Sequence, residues 1–151
     1  MVAELTALFG RDLAQLRAEL ELYPDEASLW RVQPDILNPA GNLALHLAGN
    51  LRFFIGHHLG GIPYVRDRPA EFARRDVPRA ELLELVQAAA EAVRTTLAGL
   101  DEADLRRPAP VTLAGFPEDA TTGYFLLSLY GHLNWHLGQV NYHRRLLAPG
   151  G

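Results

Sequence analysis

The sequence predicts an all-α fold, a bundle of four helices joined by loops. Apolar residues recur every three or four positions through long segments, and clusters of proline and glycine separate those segments. The only extended apolar alternation is short and lies around Val111 to Phe116, so no sheet is expected. With 151 residues, 48% of them hydrophobic and 21% charged, the chain is long enough for one core, and we expect a single domain over residues 1–151.

The first helix is predicted over about residues 3–22, because apolar side chains recur there at helical spacing. These side chains are Leu5, Leu8, Phe9, Leu13, Leu16 and Leu20. Pro24 and Pro34 interrupt the stretch that follows, which we interpret as a loop with one turn around Glu26 to Trp30.

The second helix is predicted to begin at "NPAGN", where Asn38 can cap it and Pro39 suits the first helical position. It continues through apolar sequence and ends at Gly60-Gly61. The connection that follows, residues 60–77, is long and contains two glycines and two prolines. Connections of this length inside a compact domain are usually crossovers or functional loops.

The third helix is predicted from Pro78 to about Leu100, with a single turn after it at "DEADL". A second long loop, rich in proline and glycine, comes next. Thr121 or Thr122 caps the fourth helix, which continues to about Leu147 and ends at "APGG". Long connections on both sides of the third helix favour a bundle with crossovers over a simple up-and-down bundle.

Composition and charge exclude several classes of function. The chain has 14 Lys and Arg against 18 Asp and Glu, a net charge of -4, which argues against a nucleic-acid partner because phosphate binding needs a basic face. The sequence shows neither a membrane-spanning apolar stretch nor a signal-peptide pattern. It also lacks cysteine, which excludes thiolate nucleophiles and fits a reducing compartment. We therefore expect a cytoplasmic protein that acts on a small molecule, without a nucleic-acid or membrane partner.

The fourth helix carries three histidines within twelve positions. His132 and His136 lie one turn apart and about 40° around the helix, the spacing by which one helix offers two imidazoles to a single metal ion. His143 lies on the same side of the helix but about 16 Å along it from His132, too far to share that ion. At most two of these three histidines therefore bind one metal.

A matching line of side chains follows one side of the second helix: Asn42, His46, Asn50, Phe53 and His57. If this line faces inward, its polar groups need partners, because unpaired buried polar groups are costly. A metal ion shared with His132 and His136 would satisfy one histidine of the second helix, either His46 or His57. Three neutral nitrogen ligands would leave a coordination position open for water or substrate.

The remaining histidines have plainer interpretations. His58 is expected at the surface, and His57 at the surface or in the wall of a pocket. His143, beside Arg144 and Arg145, is expected as a solvated residue at the helix end, where cations meet the helix dipole favourably.

The aromatic residues exceed what a small bundle needs inside. Some are expected to line a pocket or a dimer interface, within the set Phe53, Phe54, Phe125, Tyr130 and Trp135. Trp135 and Tyr142 are expected to pack rather than to bind a ligand. Gln139 lies one turn after His136 and either orients that ring or ends the polar line.

The segments "NLALHLAGN" and "HLNWHLGQVNYHRRLL" together resemble the DinB-like family, whose members are four-helix bundles with a metal-binding histidine triad. The resemblance covers nearly the whole chain and includes the closing H-x-x-x-H-x-G-Q pattern. It assigns the metal ligands to His46, His132 and His136, and so favours His46 over His57. It also implies an up-down-down-up bundle with a long crossover between helices 2 and 3, and a homodimer that binds zinc or nickel.

The resemblance implies a metal-dependent enzyme, either an S-transferase that uses a low-molecular-weight thiol or a hydrolase that uses water. A non-catalytic metal-binding or stress-related bundle, or a scaffold with a vestigial site, is the alternative. The arginines of "YVRDRPAEFARR" could receive an anionic cosubstrate or form internal ion pairs, and Glu71 is a candidate general base.

Overall fold

Five α-helices make up most of the chain in a computed structural model that describes residues 1–148. They are α1 (Val2–Glu21), α2 (Ala40–Leu51), α3 (Arg68–Ala73), α4 (Arg79–Ala98) and α5 (Thr122–Leu147). Short 3-10 turns lie at Ala27–Trp30 and Asp104–Arg106. No strand occurs within residues 1–148, so the all-α prediction is confirmed. Most of the predicted stop at "APGG" falls outside the described residues.

The second predicted helix contains two kinds of helical geometry. α2 continues without a break into a π-helical segment, Arg52–Leu59. The wider turns end where the Gly60 amide donates to the Ile55 carbonyl at 2.9 Å. Gly61 follows with φ of 68°, a left-handed conformation that glycine adopts without steric cost. The predicted end of this helix at Gly60-Gly61 is therefore confirmed.

The directions of α1, α4 and α5 follow from contacts along their lengths. The start of α4 lies against the end of α1, where Arg79 donates to the Glu21 carbonyl at 3.1 Å, so these helices are antiparallel. α1 and α5 are parallel, because their contacts advance together along both helices. These contacts join Asp12 with Tyr130 at 2.6 Å and Glu19 with Arg144 at 2.7 Å.

α2 is antiparallel to α5. The π-helical continuation of α2 packs Phe54 on Phe125 near the start of α5, whereas His46, earlier in α2, meets His132 farther along α5. With α1 and α5 directed up, α2 and α4 are both directed down, and the up-down-down-up bundle is confirmed. The connection from α2 to α4 must cross the bundle, because those two helices are parallel.

The helix starts agree with the predicted ones to within two residues. Pro39 occupies the position before α2, which begins at Ala40 rather than at Pro39 itself. Thr121 caps α5, since its hydroxyl accepts from the Tyr124 amide at 3.1 Å. The sequence analysis missed α3, a helix of 6 residues within the long connection.

The core lies between the four long helices and consists mainly of leucine. The most deeply buried of these side chains include Leu5, Phe9, Leu16, Leu20, Leu47, Leu51, Leu82, Leu97, Phe125 and Leu133. Those of α1 are among the residues that recur at helical spacing, so the periodicity identified the buried face of that helix. Within residues 1–148, the helices are too short or too polar to span a bilayer.

Candidate metal centre

Three histidine side chains converge between α2 and α5. His46 comes from α2, and His132 and His136 come from successive turns of α5. The Nε2 atom of His132 lies 3.1 Å from Nε2 of His46 and 3.2 Å from Nε2 of His136. One nitrogen from each ring lies within 4.8 Å of the others, as the ligands of one ion require. Of the two candidates on the second helix, the structure places His46 beside the α5 pair.

In two of these rings, the hydrogen-bond partner of Nδ1 shows that this nitrogen carries a proton. His46 Nδ1 is 3.0 Å from Glu71 Oε1, and His136 Nδ1 is 2.7 Å from Gln139 Oε1. An ionised carboxylate and an amide oxygen can only accept, so Nδ1 donates in both rings, and the neutral form of each ring carries its lone pair on Nε2. Two lone pairs therefore point toward the Nε2 atom of His132.

This arrangement suits a cation. Two acceptor nitrogens at such distances repel each other unless a proton or a metal ion lies between them. Burial, followed by the neighbouring positive groups, lowers the pKa of His132 to about 4, and burial lowers the pKa of His136. Both rings are neutral at pH 7, the form in which imidazole binds metal. The three imidazoles fit a divalent ion that accepts nitrogen ligands.

The cluster offers nitrogen ligands only. Among residues 1–148, no further histidine and no carboxylate joins His46, His132 and His136. Packing alone orients His132, since its Nδ1 atom is buried and has no hydrogen-bond partner in the described chain. Three protein ligands without a fourth are typical of metal sites that keep a position open.

Glu71 is buried and accepts the hydrogen bond from Nδ1 of His46. Arg66 donates to both of its oxygens, from Nε to Oε2 and from Nη2 to Oε1, each at 2.9 Å. Burial alone would raise the pKa of the Glu71 carboxyl, but hydrogen bonds from His46 and Arg66 outweigh burial and hold it below its ordinary value. The structure therefore corrects the expectation of a general base. Both oxygens of Glu71 are engaged, and the residue orients His46.

The sequence of α2 allows α3 to approach closely. A Cβ atom at Gly49 would overlap with Oε2 of Glu71, so only glycine leaves room for the carboxylate. Asn42, which is fully buried, donates to the carbonyls of Glu71 at 2.9 Å and Arg74 at 2.8 Å. The polar line of the second helix thus faces inward, and α3 supplies partners for two of its members, Asn42 and His46.

The sequence contains a weak signal for α3. Asp67 caps this helix by accepting from the Ala70 amide at 3.1 Å, and Pro69 lies in its first turn. An Asp followed two positions later by Pro is a recognisable helix start. The signal is weak because the helix has a single apolar aromatic residue, Phe72, and no period to extend it.

The expectation of a solvated His143 is wrong, because only 2% of this residue is exposed. Its Nε2 donates to the Arg31 carbonyl at 2.8 Å, and the Tyr23 hydroxyl donates to its Nδ1 at 2.6 Å. Burial lowers the pKa of His143, so the ring is neutral at pH 7. The arginines beside it in sequence gave no sign of this environment, which the end of α1 and the loop before α2 create.

The two histidines of the π-helical segment stay outside the cluster. His58 is exposed, as expected. The half-buried ring of His57 stacks on Phe53 with centroids 6.1 Å apart, and its Nδ1 donates to the Ile62 carbonyl at 3.1 Å.

A cavity of about 320 Å³ lies beside the metal centre. His136 and Gln139 form part of its wall, the loop over residues 35–38 covers it, and Tyr142 and Leu146 line its α5 side. Small-molecule sites have volumes of this order and a similar mixture of apolar walls with a few polar groups. The cavity is therefore a candidate substrate site.

The aromatic residues divide between the interior and the surface. Phe125 is fully buried, whereas Trp135 is 70% exposed and Tyr142 is 64% exposed. Trp135 and Tyr142 therefore do not pack in the core of this chain, and their expected packing would require a partner surface. Phe53 and Phe54 are half-buried and lie under the guanidinium of Arg66, 5.8 Å and 5.6 Å from it.

Sequence comparison identifies the family of the chain. A family model described as the DinB superfamily matches residues 8–140. The chain belongs to the DinB superfamily. No curated protein matches it. Membership confirms the resemblance drawn from "NLALHLAGN" and "HLNWHLGQVNYHRRLL", and the three converging histidines of this DinB superfamily protein could hold a metal ion.

Proposed function

We propose that this DinB superfamily protein is a divalent-metal-dependent enzyme, with His46, His132 and His136 as ligands to zinc or nickel. The observation that carries the proposal is the convergence of three Nε2 atoms on one point. Two of those atoms keep their lone pairs because Nδ1 of each ring already donates to Glu71 or Gln139.

The reaction that we favour is the transfer of a low-molecular-weight thiol to an electrophile, with hydrolysis as the second candidate. A divalent ion with an open position lowers the pKa of a thiol or water molecule and so supplies a nucleophile at neutral pH. The chain has no cysteine, so the sulfur would come from a soluble cosubstrate and no protein thiol would compete for the metal.

The residues around the triad have supporting roles in this proposal. Glu71, held by Arg66, keeps His46 in one orientation, and Gln139 does the same for His136. Phe72 packs on the ring of His46 with centroids 4.8 Å apart and so helps to hold it in place. The cavity beside His136 would receive the small-molecule substrate.

Metal content tests the proposal. The protein is purified without an affinity tag, and divalent metals are measured by plasma mass spectrometry for the wild type and His132→Ala. We expect about one ion per chain in the wild type and a loss of that ion in the variant. Absence of bound metal after incubation with zinc and with nickel would reject the enzyme proposal.

A second measurement separates catalysis from metal binding alone. The metal-loaded protein is incubated with low-molecular-weight thiols and a panel of electrophiles, and thiol consumption is compared with that of His132→Ala. Turnover that depends on the triad supports the transferase. Stoichiometric metal without turnover, for thiols or for hydrolysable esters, supports the non-catalytic metal-binding alternative.

We further propose that the protein is a cytoplasmic homodimer. Its candidate interface is the α5 apolar face, which we define as the exposed side chains Tyr124, Leu127, Trp135, Tyr142 and Leu146. These residues follow one another at helical spacing, and at Gly131 and Gly138, which lie between them, an added Cβ would meet no atom within 4 Å. A second copy presenting the same face would cover this stripe, since a two-fold interface joins identical surfaces.

A further inference from the structure

The segment around α3 contains four arginines, and the structure distinguishes them by their partners. Arg66 is paired with Glu71, and Arg74 pairs with Glu81 at 3.1 Å. Arg75 donates to Asn42 Oδ1 at 2.7 Å and to two backbone carbonyls. Arg68 is the remaining one, and among residues 1–148 it has no hydrogen bond or ion pair.

Arg68 lies beside the metal centre. Its guanidinium lies over the ring of Phe72, 5.2 Å from the centroid, and the same ring packs on His46. Asp67, which precedes Arg68 in the sequence, accepts from the Ala70 amide and does not pair with Arg68.

We propose that Arg68 receives the carboxylate of a thiol cosubstrate whose sulfur occupies the metal centre, so that the cosubstrate class is an anionic thiol. The inference rests on the proposed function. A guanidinium presents two parallel donors to a carboxylate. Contact with Phe72 restricts the Arg68 stem, which reduces the entropy lost when a ligand binds. Arg66 cannot take this role, because Glu71 already uses the same donors.

The test compares two thiols of one shape on the protein loaded with cobalt(II). 3-Mercaptopropionate carries the carboxylate, and 3-mercaptopropionamide is its neutral counterpart. The dissociation constant of each is measured from the charge-transfer absorption that a thiolate gives when it binds cobalt. The ratio of the two constants reports recognition of the carboxylate alone, because both ligands share the sulfur contact.

Four proteins are compared: the wild type, Arg68→Gln, Arg68→Lys and Arg94→Gln. Glutamine keeps much of the stem over Phe72 but removes the charge, whereas lysine keeps the charge and loses the paired donors. Arg94 is the matched control, an exposed arginine of α4 whose nearest carboxylate, Glu91, is 3.9 Å away. Cobalt content and the far-ultraviolet circular dichroism spectrum are measured for each, so that loss of metal or of fold is recognised.

We expect the wild type and Arg94→Gln to bind the anionic thiol about five- to tenfold more tightly than the amide at low salt. Arg68→Gln should lose this preference with unchanged affinity for the amide, and Arg68→Lys should keep part of it. An equal preference in Arg68→Gln and the wild type would overturn the role of Arg68 while leaving the thiol site intact. Absence of a thiolate band with either thiol, in protein that holds cobalt, would overturn the proposed thiol chemistry and this inference with it.

Discussion

The carboxylate of Glu71 lies between a histidine and an arginine, and this position decides what the residue can do. Its side chain is 8% exposed, as is that of Arg66, so water competes little with either hydrogen bond. A buried carboxylate that accepts from a ligating histidine fixes the ring and increases its basicity. Glu71 therefore contributes to metal affinity without touching the ion.

Glu71→Gln should lower metal affinity by about 10- to 100-fold, because the amide accepts a weaker hydrogen bond from His46. Isothermal titration with zinc measures the change. Glu81→Gln is the control, since Glu81 pairs only with the half-exposed Arg74. Equal zinc affinities for wild type and Glu71→Gln would show that Glu71 does not orient the ligand.

His136 and His143 lie on the same side of α5 but have different environments, so their replacements should separate metal binding from stability. His136→Ala should abolish stoichiometric metal binding. His143→Ala should keep one ion and lose about 1–3 kcal/mol of unfolding free energy, because it removes the imidazole donor of the Arg31 carbonyl and leaves the Tyr23 hydroxyl to the Val140 carbonyl, 3.1 Å away. Metal analysis and urea denaturation give both quantities, and equal loss of metal in the two variants would contradict the ligand assignment.

At the scale of elements, the close approach of α3 to α2 controls the metal centre. Asn42 of α2 donates to the backbone carbonyl of Glu71. Gly49, farther along α2, leaves room for the Glu71 side chain. Phe53 and Phe54, in the π-helical segment, lie under the guanidinium of Arg66, which holds Glu71. Wider helical turns of this type are frequent at functional sites. α2, α3 and the π-helical segment thus together position the carboxylate of Glu71.

Gly49→Ala should lower both zinc affinity and stability, because the added methyl group displaces the Glu71 side chain. Gly10→Ala is the control in another helix. A Cβ atom there would meet nothing within 4 Å, so the change should leave zinc binding intact and stabilise α1 by up to about 1 kcal/mol. Zinc titration and thermal unfolding of both variants provide the comparison. Unchanged zinc affinity in Gly49→Ala would show that the close approach of α3 to α2 does not affect zinc binding.

At the scale of the whole molecule, the ion pair between Glu19 and Arg144 links α1 to α5 and makes stability depend on pH. Burial would raise the pKa of Glu19, but hydrogen bonds from Arg144 and Asn141 outweigh burial and hold it below the ordinary value of 4.5. A carboxyl with a lowered pKa in the folded state stabilises above its unfolded pKa. That stabilisation is lost as the pH falls below about 4.5 and through the folded value.

Glu19→Gln should therefore cost about 2 kcal/mol of unfolding free energy at pH 7 and much less at pH 3. Urea denaturation at both pH values measures the difference. Glu118→Gln is the control, because Glu118 is exposed and makes no hydrogen bond or ion pair among the described residues. A cost that does not change with pH would show that packing, not charge, accounts for the contribution of Glu19.

The proposed homodimer predicts a second property of the whole molecule. Trp135→Glu places a charge in the α5 apolar face and should convert a dimer into a monomer. Light scattering coupled to size-exclusion chromatography gives the mass of each species. Val65→Glu is the control, since Val65 is 94% exposed and lies outside α5. A monomeric wild type would reject the dimer, and a dimeric Trp135→Glu would place its interface elsewhere.

The sequence by itself determined the four long helices, the buried face of α1 and two of the three converging histidines. Periodicity and caps are local, and His132 and His136 share one face of one helix whatever else the chain does. The choice of His46 over His57 came from family resemblance, and the structure agrees because it brings His46 to the α5 pair. Membership of the DinB superfamily, matched over residues 8–140, supports the same bundle.

Only the tertiary structure decided which side chains support the triad. Glu71 and His46 are 25 positions apart, and His143 and Tyr23 are 120 positions apart. Such pairs form when helices distant in sequence pack together, and no local pattern encodes that contact. For the same reason, reasoning from sequence led to a solvated His143 and to Glu71 as a candidate general base. Burial and hydrogen-bond partners fix both roles, and they exist only after the bundle and its crossover have assembled.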